Sequence, residues 1–281
     1  EGKKKGYTSE PIKARRKVFL SGTPMVNRPI EMFGILNYLD SKTFGDFFKF
    51  ALRYADAHQT RFGWDFTGSA NLPELQEKLR STLMVRRLKK DVLTELPAKV
   101  RQVIELPANG YSEYVRAEVA AWDSYDEQVN VLRSEVELAK TSDDPDAYDA
   151  AVKKLREGLS IAFQEISKCR HDTAVAKVPE VIAHVQTFID EDPDRKIVIF
   201  AHHHDVIDAL YDAFGGSVRL TGRDSQIARQ EAVDGFQNDP AVKVFIGSIQ
   251  AAGVGLTLTA SATVIFAELD WVPGNVSQAE D

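Results

Sequence analysis

A single cysteine, Cys169, stands among 281 residues, which excludes an internal disulfide framework and fits a reducing compartment. As a lone thiol inside a helical pattern it reads as packing. No apolar run approaches the length a bilayer span needs, and no signal peptide is expected. Also missing is any G-x-x-x-x-G-K-[ST] phosphate loop, because "EGKKKG" lacks both a preceding strand and the hydroxyl. "DEQV" at Asp126–Val129 superficially resembles an acidic Mg2+-holding motif, but it lies inside a helical stripe rather than at a strand end. The run His202–His204 makes no metal site, since consecutive side chains diverge. With no Cys or carboxylate at ligand spacing, it reads as a surface loop.

What is present is ordinary globular material, 43% hydrophobic and 27% charged, enough for one large domain or two of usual size. The net charge of −7 is local. Nine acids between Asp123 and Ala150 face only Arg133 and Lys140, whereas residues 1–17 hold seven bases and two acids. Polyanion binding depends on such local patches, so the global sign excludes no nucleic-acid partner. The chain opens on Glu1, and "VSQAED" at its end reads as the first turn of a helix; a piece of a longer protein is expected.

"KVFLSGTP" (17–24) predicts a short buried strand running into a hydroxyl-rich turn. Ile30, Phe33, Leu36 and Leu39 then recur at helical spacing behind Pro29. A helix over Asp46–Ala57, a Gly/Trp loop "RFGWDFTGSAN", a helix "LPELQEKLRSTL" and an alternating strand "VRQVIEL" follow. "MVRRLKKDVLTELPAK" (84–99) gathers five bases and reads equally as a charged helix face or a phosphate-facing one. Val115, Val119, Trp122, Tyr125, Val129, Leu132 and Val136 form one helical stripe, and Val152, Leu155, Leu159, Ala162 and Ile166 a second. Joined by the turn "TSDDPD", they predict an antiparallel helical hairpin with its acids on the solvated side.

From residue 176 strands alternate with helices: "KIVIFA", "SVRL", "VKVFIGS" and "TVIFAEL", separated by helical patterns. That rhythm predicts a parallel, doubly wound sheet with its sites at the carboxyl ends of the strands. Those ends are Ala201-His202, Leu220-Thr221-Gly222, Gly247-Ser248 and Glu268-Leu269-Asp270. In "GSIQAAGVGLTLTAS", Gly253 and Gly255 permit close backbone approach, and Ser248 with nearby amides is suited to a phosphate oxygen. Val254 and Leu256 read as buried there.

Five stretches in series, "LSGTPMVNRPIEMFGILNYL", "MVRRLKKDVLTELPAK", "IVIFAHHHDVIDAL", "GSIQAAGVGLTLTAS" and "FAELDWVPGNVSQAED", resemble the Swi/Snf-type DNA translocases of helicase superfamily two. "FGWDFTGSANLPEL" with "FAELDWVPG" resembles the annealing-helicase (HARP-like) branch. The resemblance implies an α/β fold: a RecA-like doubly wound parallel sheet over 176–281 as a truncated second lobe. Ahead of it come the end of a first RecA-like lobe (1–43), a helical insertion and connection (44–110) and a hairpin protrusion (111–175).

The resemblance assigns Ser21, Gly22 and Thr23, with Pro24, to coupling motif III, and Gln278, Glu280 and Asp281 to the opening of motif VI. DNA-backbone contacts are implied for His202, His203, Thr221, Arg223, Ser248 and Thr257, with Arg229 in the same block as Thr221. Nucleotide contacts are implied for Gly253, Gly255 and Gln278. ATP and Mg2+ are the expected cofactors of a full-length parent, with none bound by this piece. The expected partners are double-stranded or forked DNA and a missing N-terminal lobe, in the nucleoid or the nucleus and not at a membrane. A nucleic-acid-binding scaffold with a decayed ATPase is the competing reading, and an unrelated doubly wound transferase is a third.

Overall fold

The computed structural model describes residues 14–281 except 26, 61–62, 94, 96–97, 107–110 and 142–143, and apart from the side chains of 89, 90 and 145. The chain forms two compact units, residues 1–100 and 101–281.

In the first unit a 3-10 turn at Pro29–Met32 leads into α1 (Phe33–Leu39), followed by α2 (Phe47–Tyr54). Asp46 caps α2 by accepting from the Lys49 amide at 3.0 Å. An antiparallel pair, β1 (His58–Thr60) and β2 (Gly63–Asp65), precedes α3 (Leu72–Thr82) and the single turn α4 (Lys89–Val92). Met32, Leu36, Phe44, Phe50, Tyr54, Leu75 and Leu79 form its core. Glu74 of α3 ties back to α2, accepting from the Arg53 guanidinium and from Tyr54 Oη at 2.9 Å.

Two expectations fail here. Residues 17–25 form no strand, and Val18 and Leu20 are 79% and 93% exposed. A strand needs a neighbour to pair its amides, and among the described residues none lies beside this segment. Its local ties are the Phe19 ring, edge-on to Tyr38 at 5.9 Å, and Lys17, which donates to the Tyr38 carbonyl at 2.8 Å. The second failure is the Gly/Trp loop, part of which is the β1–β2 ribbon. There Gly63 takes φ +117°, a conformation open to glycine.

In the second unit "VRQVIEL" is irregular and exposed rather than a strand, again with no pairing partner among the described residues. α5 (Ser112–Thr141) and α6 (Pro145–Ala176) then pack as the predicted hairpin. Lys154 bridges to Glu135 at 2.7 Å across them, and Gly158 admits the Leu132 side chain where a Cβ would lie 2.6 Å from Leu132 Cδ1. Asp144 caps α6 through the amides of Asp146 and Ala147; the rest of the predicted turn, at 142–143, lies outside the described residues. Only the later half of the first stripe is covered: Val129 and Val136 are buried, but Val115, Val119 and Trp122 are exposed. The stripe repeats about every 3.5 residues while a straight helix turns every 3.6, so it drifts about 20° per heptad off the seam. Ala121 takes the buried place instead.

α7 (Val178–Glu191) introduces the sheet. The remaining order is β3 (Ile197–Ala201), α8 (His204–Ala213), β4 (Val218–Leu220) and α9 (Gln226–Asn238). After these come β5 (Val244–Ser248), α10 (Ile249–Ala252), β6 (Thr263–Phe266) and α11 (Pro273–Glu280). The strands lie in the order β4-β5-β3-β6 and every pairing is parallel, as the alternating pattern predicts.

Period-two alternation divides the core between the two faces. Ile197, Ile199, Val244 and Ile246 pack against α7 and α8 through Val181, Val185, Ile207 and Leu210. Val198, Phe200 and Phe245 pack against α9 and α10 through Phe236 and Ile249. Each such side chain contributes about 1.5–3 kcal/mol by leaving water, which makes this sheet the centre of the unit's stability.

Candidate functional site at the strand ends

β3 leaves the sheet toward the α7/α8 face and β5 toward the α9/α10 face. The two strands are neighbours, with Ala201 opposite Ser248 at their carboxyl ends. Connections that part to opposite faces open a crevice between adjacent strand ends, the place where doubly wound sheets bind ligands. A buried polar residue stands at the end of three strands: Thr221 after β4, Ser248 on β5, and Glu268 with Asp270 after β6.

The β3 end is organised by Glu268. Its carboxylate accepts from the amides of His202 and His203, both at 2.9 Å, and pairs with His203 Nδ1 at 2.6 Å. Burial alone would raise this carboxyl; the hydrogen bonds from the His203 amide and ring and from the His202 amide outweigh it, and its pKa falls below the ordinary 4.5. Asp270 accepts from the Val272 amide at 2.8 Å and from Asn275 Nδ2 at 3.0 Å, fixing the start of α11. Its other oxygen faces His202 Nδ1 at 3.7 Å, with no hydrogen bond to either atom. The three histidines are thus no surface loop. They are half-buried, and the Glu268 carboxylate that holds two of them comes from a strand end some 65 residues away, beyond the reach of local spacing.

His171 of α6 closes the group, with Nε2 2.6 Å from Asp205 and its ring 4.4 Å from the His203 ring. Burial lowers the nearby Lys177 ammonium below its ordinary 10.5, against the pull of Glu268 and Glu118. His171 and Lys177 carry no role in the sequence reading, where Glu268 and Asp270 appear only as the end of the last strand. The two acids spaced by one residue at a strand exit are the one signal that marks them.

At the β4 end the Thr221 hydroxyl is spent inside its turn, donating to Asp224 at 2.8 Å and accepting from the Arg223 amide at 3.2 Å. Arg229 braces the same turn through the Thr221 and Asp224 carbonyls. The Arg223 guanidinium projects outward, 3.9 Å from Asp208. Ser248 makes no side-chain cap to α10, and Thr257 is exposed. Gly253 is buried for packing, since a Cβ there would come within 2.3 Å of the Ile249 carbonyl and 3.0 Å of the Ala279 methyl of α11. Gly255 takes φ +75° in open space. Val254 is 56% exposed, against the expectation that it is buried, whereas Leu256 packs into the core.

Ser21 accepts from the Thr23 amide at 3.2 Å, a small hydroxyl turn on the first unit. Gln278, Glu280 and Asp281 lie on and just after α11, whose first turn is at Pro273 rather than at the chain's last residues. Glu280 pairs with Arg101 at 2.6 Å. Among the described residues no three metal-ligating side chains converge.

The fold is a doubly wound parallel α/β lobe whose topological switch lies between β3 and β5. Residues 178–281 match the helicase conserved C-terminal domain, and residues 3–147 match the SNF2-related domain. The chain belongs to the SNF2-related helicase family, in which ATP and Mg2+ drive a DNA-dependent ATPase. It is 37% identical over 279 residues to the human DNA annealing helicase and endonuclease ZRANB3, covering 96% of this chain and 23% of that protein. It is 34% identical over 270 residues to the Caenorhabditis elegans SWI/SNF-related matrix-associated actin-dependent regulator of chromatin subfamily A-like protein 1 homolog, covering 94% and 35%. The chain therefore spans about a quarter to a third of the curated relatives it matches. The Sulfolobus solfataricus SWI2/SNF2 ATPase core in complex with dsDNA aligns at a TM-score of 0.39 and 20% identity, over 88% of this chain and 50% of that one. That likeness is too loose to carry the fold assignment, which rests on the sheet itself.

Proposed function

We propose that this chain is the DNA-gripping and coupling part of an ATP-dependent double-stranded-DNA translocase of the annealing-helicase kind, acting in the nucleus and catalytically incomplete by itself. The observation that carries the reading is the topological switch between β3 and β5, where Ala201, just before His202 and His203, lies opposite Ser248, in a chain whose two parts both match the family.

In this reading Arg223, Ser248 and Thr257 contact phosphates, and Thr221 acts by shaping the turn that presents Arg223. His202 and His203 line the same edge, held in place by Glu268. Gly255 and Gln278 face the nucleotide side, and Gly253 lets α11 approach it. Ser21, Gly22 and Thr23 serve as the coupling motif of a first lobe whose phosphate loop and acidic motif this chain does not contain. The domain partition follows as a first-lobe end (1–43), an insertion (44–110), a protrusion (111–175) and a second lobe (176–281).

Stepping along a backbone needs phosphate contacts whose strength alternates, and no base readout. The test is ATP hydrolysis by a protein carrying this chain together with a phosphate loop, measured with and without duplex DNA of unrelated sequences. Stimulation by every duplex supports the reading. Equal rates with and without DNA overturn it.

A further inference from the structure

Residues 268–271 follow β6 and are held from the β3 end, from the α5–α6 hairpin and from the start of α11. Glu268 is held by the β3 end, as described above. The Leu269 carbonyl accepts from the Arg170 guanidinium of α6. Asp270 caps α11. The Trp271 ring lies 4.2 Å under the same Arg170 guanidinium, with Phe163 of α6 at 5.1 Å and Trp122 of α5 at 6.3 Å. One residue further along α6, His171 reaches Asp205 at the start of α8.

We propose that the C-terminal end of α6 is a mechanical pin: Arg170 fastens the α5–α6 hairpin to the β6–α11 turn, while His171 anchors the same end of α6 to α8, so that hairpin and α11 move as one body. Arg170 is suited to this because one planar group does two jobs. Its N–H edge donates to a backbone carbonyl while its face covers an aromatic ring. The hairpin is a long lever, since thirty residues of α5 rise about 45 Å at about 1.5 Å each. A small swing at its far end therefore works on the short turn at its base.

The pin rests on this geometry alone. Its consequence for turnover rests on the translocase reading, in which α11 opens motif VI. Arg170 is then a positioning residue: it sets where α11 sits without touching DNA or nucleotide.

Hydrogen exchange on this chain tests the pin. Arg170→Ala is expected to speed exchange of the α11 amides about tenfold while leaving β3 and β5 unchanged. Arg170→Lys restores part of the protection, because an ammonium reaches the carbonyl but offers no flat face. Lys153→Ala, out on the hairpin surface, changes nothing. Unaltered α11 exchange in Arg170→Ala overturns the pin, and so does equal acceleration throughout the sheet. Should Arg170→Ala fail to fold, Trp271→Leu, which removes the ring that the Arg170 guanidinium covers, decides by the same pattern. In a longer protein with DNA-stimulated ATPase, Arg170→Ala is expected to lower the stimulated rate about tenfold and spare the basal rate. A wild type without stimulation overturns the translocase reading instead, with the exchange pattern still deciding the pin.

Discussion

The Glu268 carboxylate accepts from the His203 amide at 2.9 Å and pairs with the same residue's Nδ1 at 2.6 Å, joining the ends of two neighbouring strands. Replacing it by alanine leaves two buried amides and an imidazole without their acceptor. Each unsatisfied group costs about 1–3 kcal/mol, so Glu268→Ala is expected to lose about 3 kcal/mol or more in urea denaturation, and Glu268→Gln less.

The same carboxylate makes a pH prediction. Its folded pKa lies below 4.5. A depressed carboxyl stabilises the fold fully above its unfolded value and loses that contribution as pH falls through the folded one. The stability gap between wild type and Glu268→Gln should hold above about pH 5 and shrink below about pH 4.5 in acid titrations of the denaturation midpoint. A gap that widens on acidification contradicts the assignment.

Gly253→Ala forces a methyl group into a space already held by the Ile249 carbonyl and Ala279. α10 and α11 must part, at a cost of about 1–3 kcal/mol, seen as a lower melting temperature.

Val254 and Leu256 separate by burial. Val254→Asp puts a charge on an exposed site and should fall within about 0.5 kcal/mol of wild type. Leu256→Asp buries an unpaired charge and should cost several kcal/mol, roughly, or prevent folding.

Arg223→Ala should weaken duplex binding alike for all sequences and lower the salt slope by about 1, with melting unchanged. Fluorescence anisotropy at several salt concentrations reads both. An unaltered slope removes Arg223 from the phosphate contacts.

The sheet was legible because β3 and β5 are continuous apolar runs set between helical patterns, which only a doubly covered parallel strand satisfies. "KVFLSGTP" and "VRQVIEL" carry shorter or alternating apolar strings that also suit a strand, yet a strand is made by its neighbours, and local composition does not report them. The crevice could be placed at the strand ends by rule, but its organiser could not. Glu268 acts on residues 65 and 66 positions earlier, and no spacing in the sequence connects them. The helical hairpin was read correctly as a pair, while its exposed first half depended on a drift of phase that a list of apolar positions hides.

That hairpin has a practical consequence. Its connection near Asp144 stands about 38 Å along α6 from Arg170, where the hairpin meets the β6–α11 turn. A fluorescent protein spliced there would ride clear of the folded core. With a second fluorophore placed after α11, the pair would form an optical gauge of any rocking motion, readable molecule by molecule.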